Sequence, residues 1–206
     1  RSPQTTVYDG SPKELGSEIL SNGTFDSNTT GWQGQYGATI SQVDGIGGVD
    51  NVLKVLCDGS GNEAAETAQA FSLTTGIVHK LSFDVYVPSG QTVTGVSVYG
   101  RNGGSSGSPA TFEEHFTPTA NTWTTKTMYY TPTGATDDIR WRVSDGSGTT
   151  SDAEDVFYLD NVSFKEVKMG NHGTTTFTGD ELWNEVDTDV SSRAGQNGSA
   201  EVASAG

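Results

Sequence analysis

Glu113, Glu114 and His115 stand side by side in "TFEEHFT", and neighbouring carboxyl and imidazole groups are raw material for acid–base or metal chemistry. On a strand, however, adjacent residues point to opposite faces, so the two glutamates cannot act on a common substrate. Hydrolysis of a glycoside needs two carboxyl groups facing each other across a cleft, and no such pair stands out among the 26 acidic residues. The three histidines, His79, His115 and His172, are widely separated and lack zinc-ligand spacing. The sequence holds no nucleophile elbow, phosphate loop or dinucleotide fingerprint. The expectation is a protein that is not an enzyme.

A different chemistry gathers around arginine and tyrosine. Alternate residues of a strand share a face. In "HKLSFDVYVP" the outward set is Lys80, Ser82, Asp84 and Tyr86; in "GVSVYGR" it includes Tyr99 and Arg101; in "DIRWRVS", Arg140 and Arg142; in "VFYLD", Tyr158. Four of eleven basic residues thus fall on three strands, with three tyrosines beside them. Such a face offers aromatic area and charged hydrogen-bond donors. The plainer alternative is a solvated sheet whose arginines pair with Asp84 and neighbouring acids.

The elements that position these residues are legible from period-two alternation. Leu53, Val55 and Cys57 alternate, as do Leu81, Phe83, Val85 and Val87, then Val96 and Val98, Met128 and Tyr130, and Ile139, Trp141 and Val143. Phe157 and Leu159 are followed by Val162 and Phe164, which places a bulge near Asp160. Between these runs lie "PSGQ", "RNGGSSGSP", "PTGATDD" and "DGSGTTSD", all turn chemistry. Strands with one apolar face each pack best as two antiparallel sheets face to face. The pattern predicts an all-β protein, a jelly-roll β-sandwich with extended N- and C-terminal arms.

Bulk properties agree. The chain has 206 residues, 32% hydrophobic, with 27 glycines and a formal net charge of −15. That charge gives no basic excess for a nucleic-acid backbone, so no nucleic-acid partner is expected. A run of about 18 apolar residues is lacking, so no membrane insertion is expected either. The first residue is Arg1, and the chain reads as a mature product or a piece of a longer protein. Cys57 is the only cysteine, so no internal disulfide forms. The sequons at Asn22, Asn28, Asn161 and Asn197 are about as many as so Asn-, Ser- and Thr-rich a chain produces by chance.

Four stretches in order, "EILSNGTFDSNTTGW", "FSLTTGIVHKLSFDVYVPSG", "TANTWTTKTMYYTPT" and "VFYLDNVSF", resemble the jelly-roll carbohydrate-binding modules attached to xylanases and laminarinases. The resemblance covers roughly residues 17 to 166 and implies that Phe25 and Trp32 pin the first loop to the core edge. It also implies a glycan partner on a sheet face, with Lys80, Asp84, Tyr86, Tyr99, Arg101, Arg140, Arg142 and Tyr158 as candidate carbohydrate contacts. A basic, tyrosine-bearing face favours an anionic or hydroxyl-rich glycan. By the same resemblance, a structural calcium ion (Ca2+) is expected where the first and last strands meet, held by Glu18 and Asp160 with Asp26 as a third ligand. The alternative is that Asp160 caps a bulge and Glu18 is solvated.

The expected organisation is an N-terminal arm over 1–16, the jelly roll over 17–167 and a C-terminal arm over 168–206. The arms share a faint echo, "TTVYDG" against "TTTFTGDEL", as if one repeat ended and another began. The last forty residues loosely resemble virion structural proteins of marine phages. Residues 168–206 are therefore expected to contact copies of the same chain or neighbouring structural proteins, with "TTTFTGDELWNEV" adding a strand at a neighbour's sheet edge. The location expected is extracellular or on a virion surface. The second reading is a purely structural subunit assembling through its arms.

Overall fold

The structure, a computed structural model, describes residues 4–8, 14–68, 71–93, 95–102, 110–132, 136–143, 151–168 and 172–176. The chain divides into two units, Leu15–Lys168 and, separately, Arg1–Glu14 with Met169–Gly206. In the smaller unit β1 (Gln4–Tyr8) pairs antiparallel with β14 (His172–Thr176), Thr5 opposite Thr175 and Thr6 opposite Thr174. Parts of the two echoing segments, Thr5–Tyr8 and Thr174–Thr176, thus lie on strands that pair with each other. The rest of the expected assembly segment, 177–206, lies outside the described residues.

The larger unit is a jelly-roll β-sandwich. Sheet I has the order β10 (Ala110–Phe116), β9 (Val96–Asn102), β12 (Thr136–Val143), β6 (Ala64–Thr67), β3 (Trp32–Gln35), with β7 (Phe71–Ser72) also on β12. Sheet II runs β11 (Thr124–Tyr130), β8 (His79–Tyr86), β13 (Ala153–Lys168), β5 (Val52–Asp58), β4 (Thr39–Val43), with β2 (Glu14–Glu18) also on β13. Apart from the consecutive pairs β9–β10 and β4–β5, neighbours in a sheet are separated in sequence, because the chain changes sheet repeatedly; β3 and β4, separated only by residues 36–38, lie in different sheets.

Alternation builds the core. On β8, Leu81, Phe83 and Val85 are buried while Lys80, Ser82, Asp84 and Tyr86 are half-buried on the other side. Trp141 of sheet I is fully buried, 5.2 Å from the Trp32 ring and 5.6 Å from Phe83 of sheet II, so one indole bridges the layers. Cys57 lies in the same core, 2% exposed. The β13 register shifts between Asp160 and Ser163, where the bulge was expected, and Val162 and Phe164 return to the core.

The opening stretch "SNGTF" is built by close approach. A Cβ on Gly23 would lie 1.9 Å from the Val162 carbonyl oxygen, so only glycine lets this turn touch β13, and the Gly23 carbonyl accepts from Val162 N–H. Phe25 then turns inward with a φ of 52° and is fully buried, its ring 5.1 Å edge-on from Trp32. The Trp32 indole N–H donates to the Asn22 carbonyl.

Candidate functional site

The outer face of sheet I is organised in cross-strand rows, since residues in register on neighbouring strands sit side by side. One row reads Glu113, Tyr99, Arg140, Glu66, Gln33 across β10, β9, β12, β6 and β3. The next reads His115, Ser97, Arg142, Ala64, Gln35 across the same strands. At the usual strand spacing five strands span about 19 Å.

Arg140 is the hub. Its side chain is 4% exposed and ion-paired with Glu66 through Nε and Nη2, while Nη1 donates to the Tyr36 hydroxyl at 2.9 Å and the Tyr99 hydroxyl at 3.0 Å. Glu66 Oε1 also accepts from Gln33 Nε2 and Gln35 Nε2, at 2.8 and 3.0 Å. Burial works against the arginine's charge, yet Tyr99 and Glu66 beside it raise its pKa above the ordinary guanidinium value. Burial likewise raises the Tyr99 phenol, opposed by Arg140 and Arg142. A buried pair of this kind is costly to break, because either partner alone is an uncompensated charge.

Tyr36 stands over this hub. Its ring is 4.9 Å from the Arg140 guanidinium carbon, and the residue is 46% exposed. The turn that carries it is fixed from outside the face: Ser60 Oγ donates to the Tyr36 carbonyl at 2.8 Å, and Asp58 Oδ1 accepts from Ser60 N–H. Arg142 Nη2 pairs with Glu113 at 3.1 Å and Nη1 donates to Asn62 Oδ1 at 3.3 Å, with its guanidinium carbon 5.0 Å from the Tyr99 ring. His115 Nε2 lies 3.5 Å from the same Glu113 oxygen.

The expected contact residues divide between two faces. Tyr99, Arg140 and Arg142 come together on sheet I. Arg101 sits on β9 opposite Asp138, with its side chain outside the described residues. Lys80, Asp84, Tyr86 and Tyr158 belong instead to the outer face of sheet II, because β8 and β13 pair in that sheet. There Tyr86 packs 5.3 Å from Trp123 and 6.0 Å from Tyr158, and Ile46 and Val49 of the β4–β5 loop close over them. The Trp123 indole N–H donates to the Ile46 carbonyl at 3.0 Å. Asp84 accepts from Thr125 and Asn161 rather than from an arginine. Among the described side chains of the sheet I face, Arg140 pairs with Glu66 and Arg142 with Glu113.

The calcium expectation meets a different geometry. Glu18 Oε1 accepts from the backbone N–H groups of Ile19, Leu20 and Phe164, and Oε2 accepts from Ser163 Oγ at 2.6 Å. Both oxygens are thus engaged in clamping the first strand to β13. Asp160 is buried, its carboxyl pushed up to about 6 by burial and by Asp84 and Asp26, and Asn161 Nδ2 donates to it. Asp26 accepts from Thr24 Oγ1. Among the described residues no group of three or more His, Cys, Asp or Glu side chains is arranged to hold a metal.

A two-sheet sandwich carrying an ordered polar and aromatic row on one open outer face belongs to the class of β-sandwich binding modules. The family model described as Carbohydrate binding domain matches residues 17–150, more than half of the chain, and the protein belongs to that family. Among solved structures, the chain is similar to one described as CBM4, at 17% identity and a TM-score of 0.54, covering 71% of this chain and 99% of that one. It is similar to the CBM22-1 xylan-binding domain of Paenibacillus barcinonensis Xyn10C, at 16% identity and a TM-score of 0.54, covering 75% and 97%. It also matches an arabinose-bound MgGH51 α-L-arabinofuranosidase, at 12% identity and a TM-score of 0.57, covering 74% of this chain but only 27% of that one. At these identities the likeness establishes the fold. No curated protein matches the sequence.

Proposed function

We propose that the outer face of sheet I binds a polysaccharide chain laid across its strands, in a non-catalytic module of a larger extracellular protein. The observation that carries this is the open Tyr36 ring standing beside Gln33, Gln35, Glu66 and Arg140, a stacking surface next to fixed hydrogen-bonding groups. An aromatic face takes the apolar side of a sugar while amide and charged groups take its hydroxyls. The pairing of each arginine with a glutamate favours a hydroxyl-rich, uncharged chain over an anionic one. The family membership and the binding modules of the same fold support the reading.

The test is affinity electrophoresis in gels containing xylan, mixed-linkage glucan, galactan or polygalacturonate. Retardation by a neutral polysaccharide that Tyr36→Ala reduces about tenfold is the expected result. Passage through all four gels without retardation would remove the proposal.

A second reading, a structural subunit assembling through its arms, draws on the β1–β14 ribbon, which has no third strand among the described residues. A two-stranded ribbon is marginal by itself. Sedimentation velocity of the whole chain separates the readings: a monomer at every concentration counts against assembly.

A further inference from the structure

We propose that the Arg142 side chain covers a sugar subsite composed of the Tyr99 ring and the Ser97 hydroxyl, and that the glycan seats one uncharged pyranose unit there. This rests on the reading of the sheet I face as a glycan site. Ser97 lies directly opposite Arg142 in the β9–β12 register, and Ala64 lies opposite it on the other side. A long side chain is thus flanked by two of the smallest, and its stem lies in the space they leave.

Two polar atoms in this spot are buried and lack hydrogen-bond partners: Ser97 Oγ and Arg142 Nε. Ser97 is fully buried. What holds Arg142 beside Ser97 and over the Tyr99 ring is its pair with Glu113, in which the two side chains are 22% and 36% exposed, and the longer contact with Asn62. Exposed pairs contribute little in water, whereas each buried polar atom without a partner carries a desolvation penalty. The covered arrangement is therefore weakly preferred. Turning Arg142 outward hydrates its Nε, keeps its charge in solvent, and uncovers both the Ser97 hydroxyl and the part of the Tyr99 ring now under the guanidinium.

The uncovered groups define the ligand's chemistry. The ring takes an apolar sugar face, and the serine exchanges a hydrogen bond with a sugar hydroxyl. Arg140 remains neutralised by Glu66, and Glu113 loses its arginine partner while His115 stays 3.5 Å from its oxygen, so the uncovered spot has no unpaired arginine to attract an acidic sugar.

The experiment is affinity electrophoresis of the whole chain in gels of xylan, mixed-linkage glucan and galactan, comparing the wild type with Arg142→Ala, Arg142→Ala/Ser97→Ala and Tyr36→Ala in each. Removing the cover should tighten binding about fivefold, by raising the fraction of molecules with an open subsite. The double variant should fall back to near the wild-type affinity. Weaker or unchanged binding by Arg142→Ala overturns the subsite, as does a double variant that binds as tightly as Arg142→Ala. If Tyr36→Ala loses binding while the subsite variants behave in those ways, only the subsite falls. If Tyr36→Ala binds like the wild type, or no variant is retarded, the reading of the face falls and the subsite with it.

Discussion

On sheet II the outward tyrosines, Tyr86 and Tyr158, lie against Trp123 and beneath Ile46 and Val49 of the β4–β5 loop. On sheet I the outward row is closed by nothing comparable among the described residues: Tyr36 stands open above Arg140, which is tied to Glu66 rather than packed under a loop. The same alternation of side chains produces both surfaces. The loop decides the difference, and Gly47 shows how closely it sits, since a Cβ there would approach the rings of Trp123 and Tyr86 at 2.9 Å. An aromatic residue on the outward side of a strand becomes available to a ligand only if the chain's own loops leave it uncovered.

The comparison is broken most severely at the sheet I hub. Glu66→Ala leaves the Arg140 charge buried and orphans the amides of Gln33 and Gln35, and it is expected to cost about 3–5 kcal/mol in chemical denaturation. A cost under about 1 kcal/mol would show that the arginine is effectively solvated. On sheet II, Trp123→Ala removes the ring that anchors the loop and is expected to cost about 2 kcal/mol, the side chain being half-buried, while leaving affinity for the polysaccharide that retards the wild type unchanged. Lost binding in that variant would place the ligand on the wrong sheet.

The smallest expected effect concerns Asp160. Its carboxyl titrates near 6 in the folded protein, above the unfolded value of 3.8, so the folded state holds the proton more tightly. This group therefore disfavours folding above pH 6, and the penalty fades as pH falls from about 6 to about 4. Asp160→Asn should raise stability at pH 8 by about 1 to 2 kcal/mol, after allowance for nearby solvent, and flatten that part of the stability profile. Asp155 runs the other way: burial raises its pKa, but hydrogen bonds from Thr92 and the Asp152 backbone more than offset this. Its contribution is present above the unfolded value and is lost as pH falls through the lower folded one. A calcium-dependent rise in Tm that Asp160→Asn abolishes would show instead that the ion binds at this carboxyl.

Alternation alone made the inward set legible, from Leu53 to Phe164, and with it the two-layer sandwich and the bulge on β13. It also grouped Tyr99 with Arg140 and Arg142 correctly, because β9 and β12 are paired neighbours. It could not say that β8 and β13 join the other sheet, since nothing local in "HKLSFDVYVP" encodes which strand lies beside it. Tyr36 escaped notice because it sits in a turn after a strand of four residues, too short for a period to register. Glu66 did so because an acid in "EAAET" looks solvated until its cross-strand arginine is known. Glu18 does lie where the first strand meets the last, and its oxygens accept from N–H and O–H donors that no local pattern in the sequence displays.

Cys57 has a practical consequence. Burial, with Glu63, Asp155 and Asp58 nearby, pushes its thiol up to about 12, and thiolate is the form that attacks reagents. The sulfur is silent while the layers are shut, so the pace at which a maleimide consumes it is a clock counting how often the two sheets part.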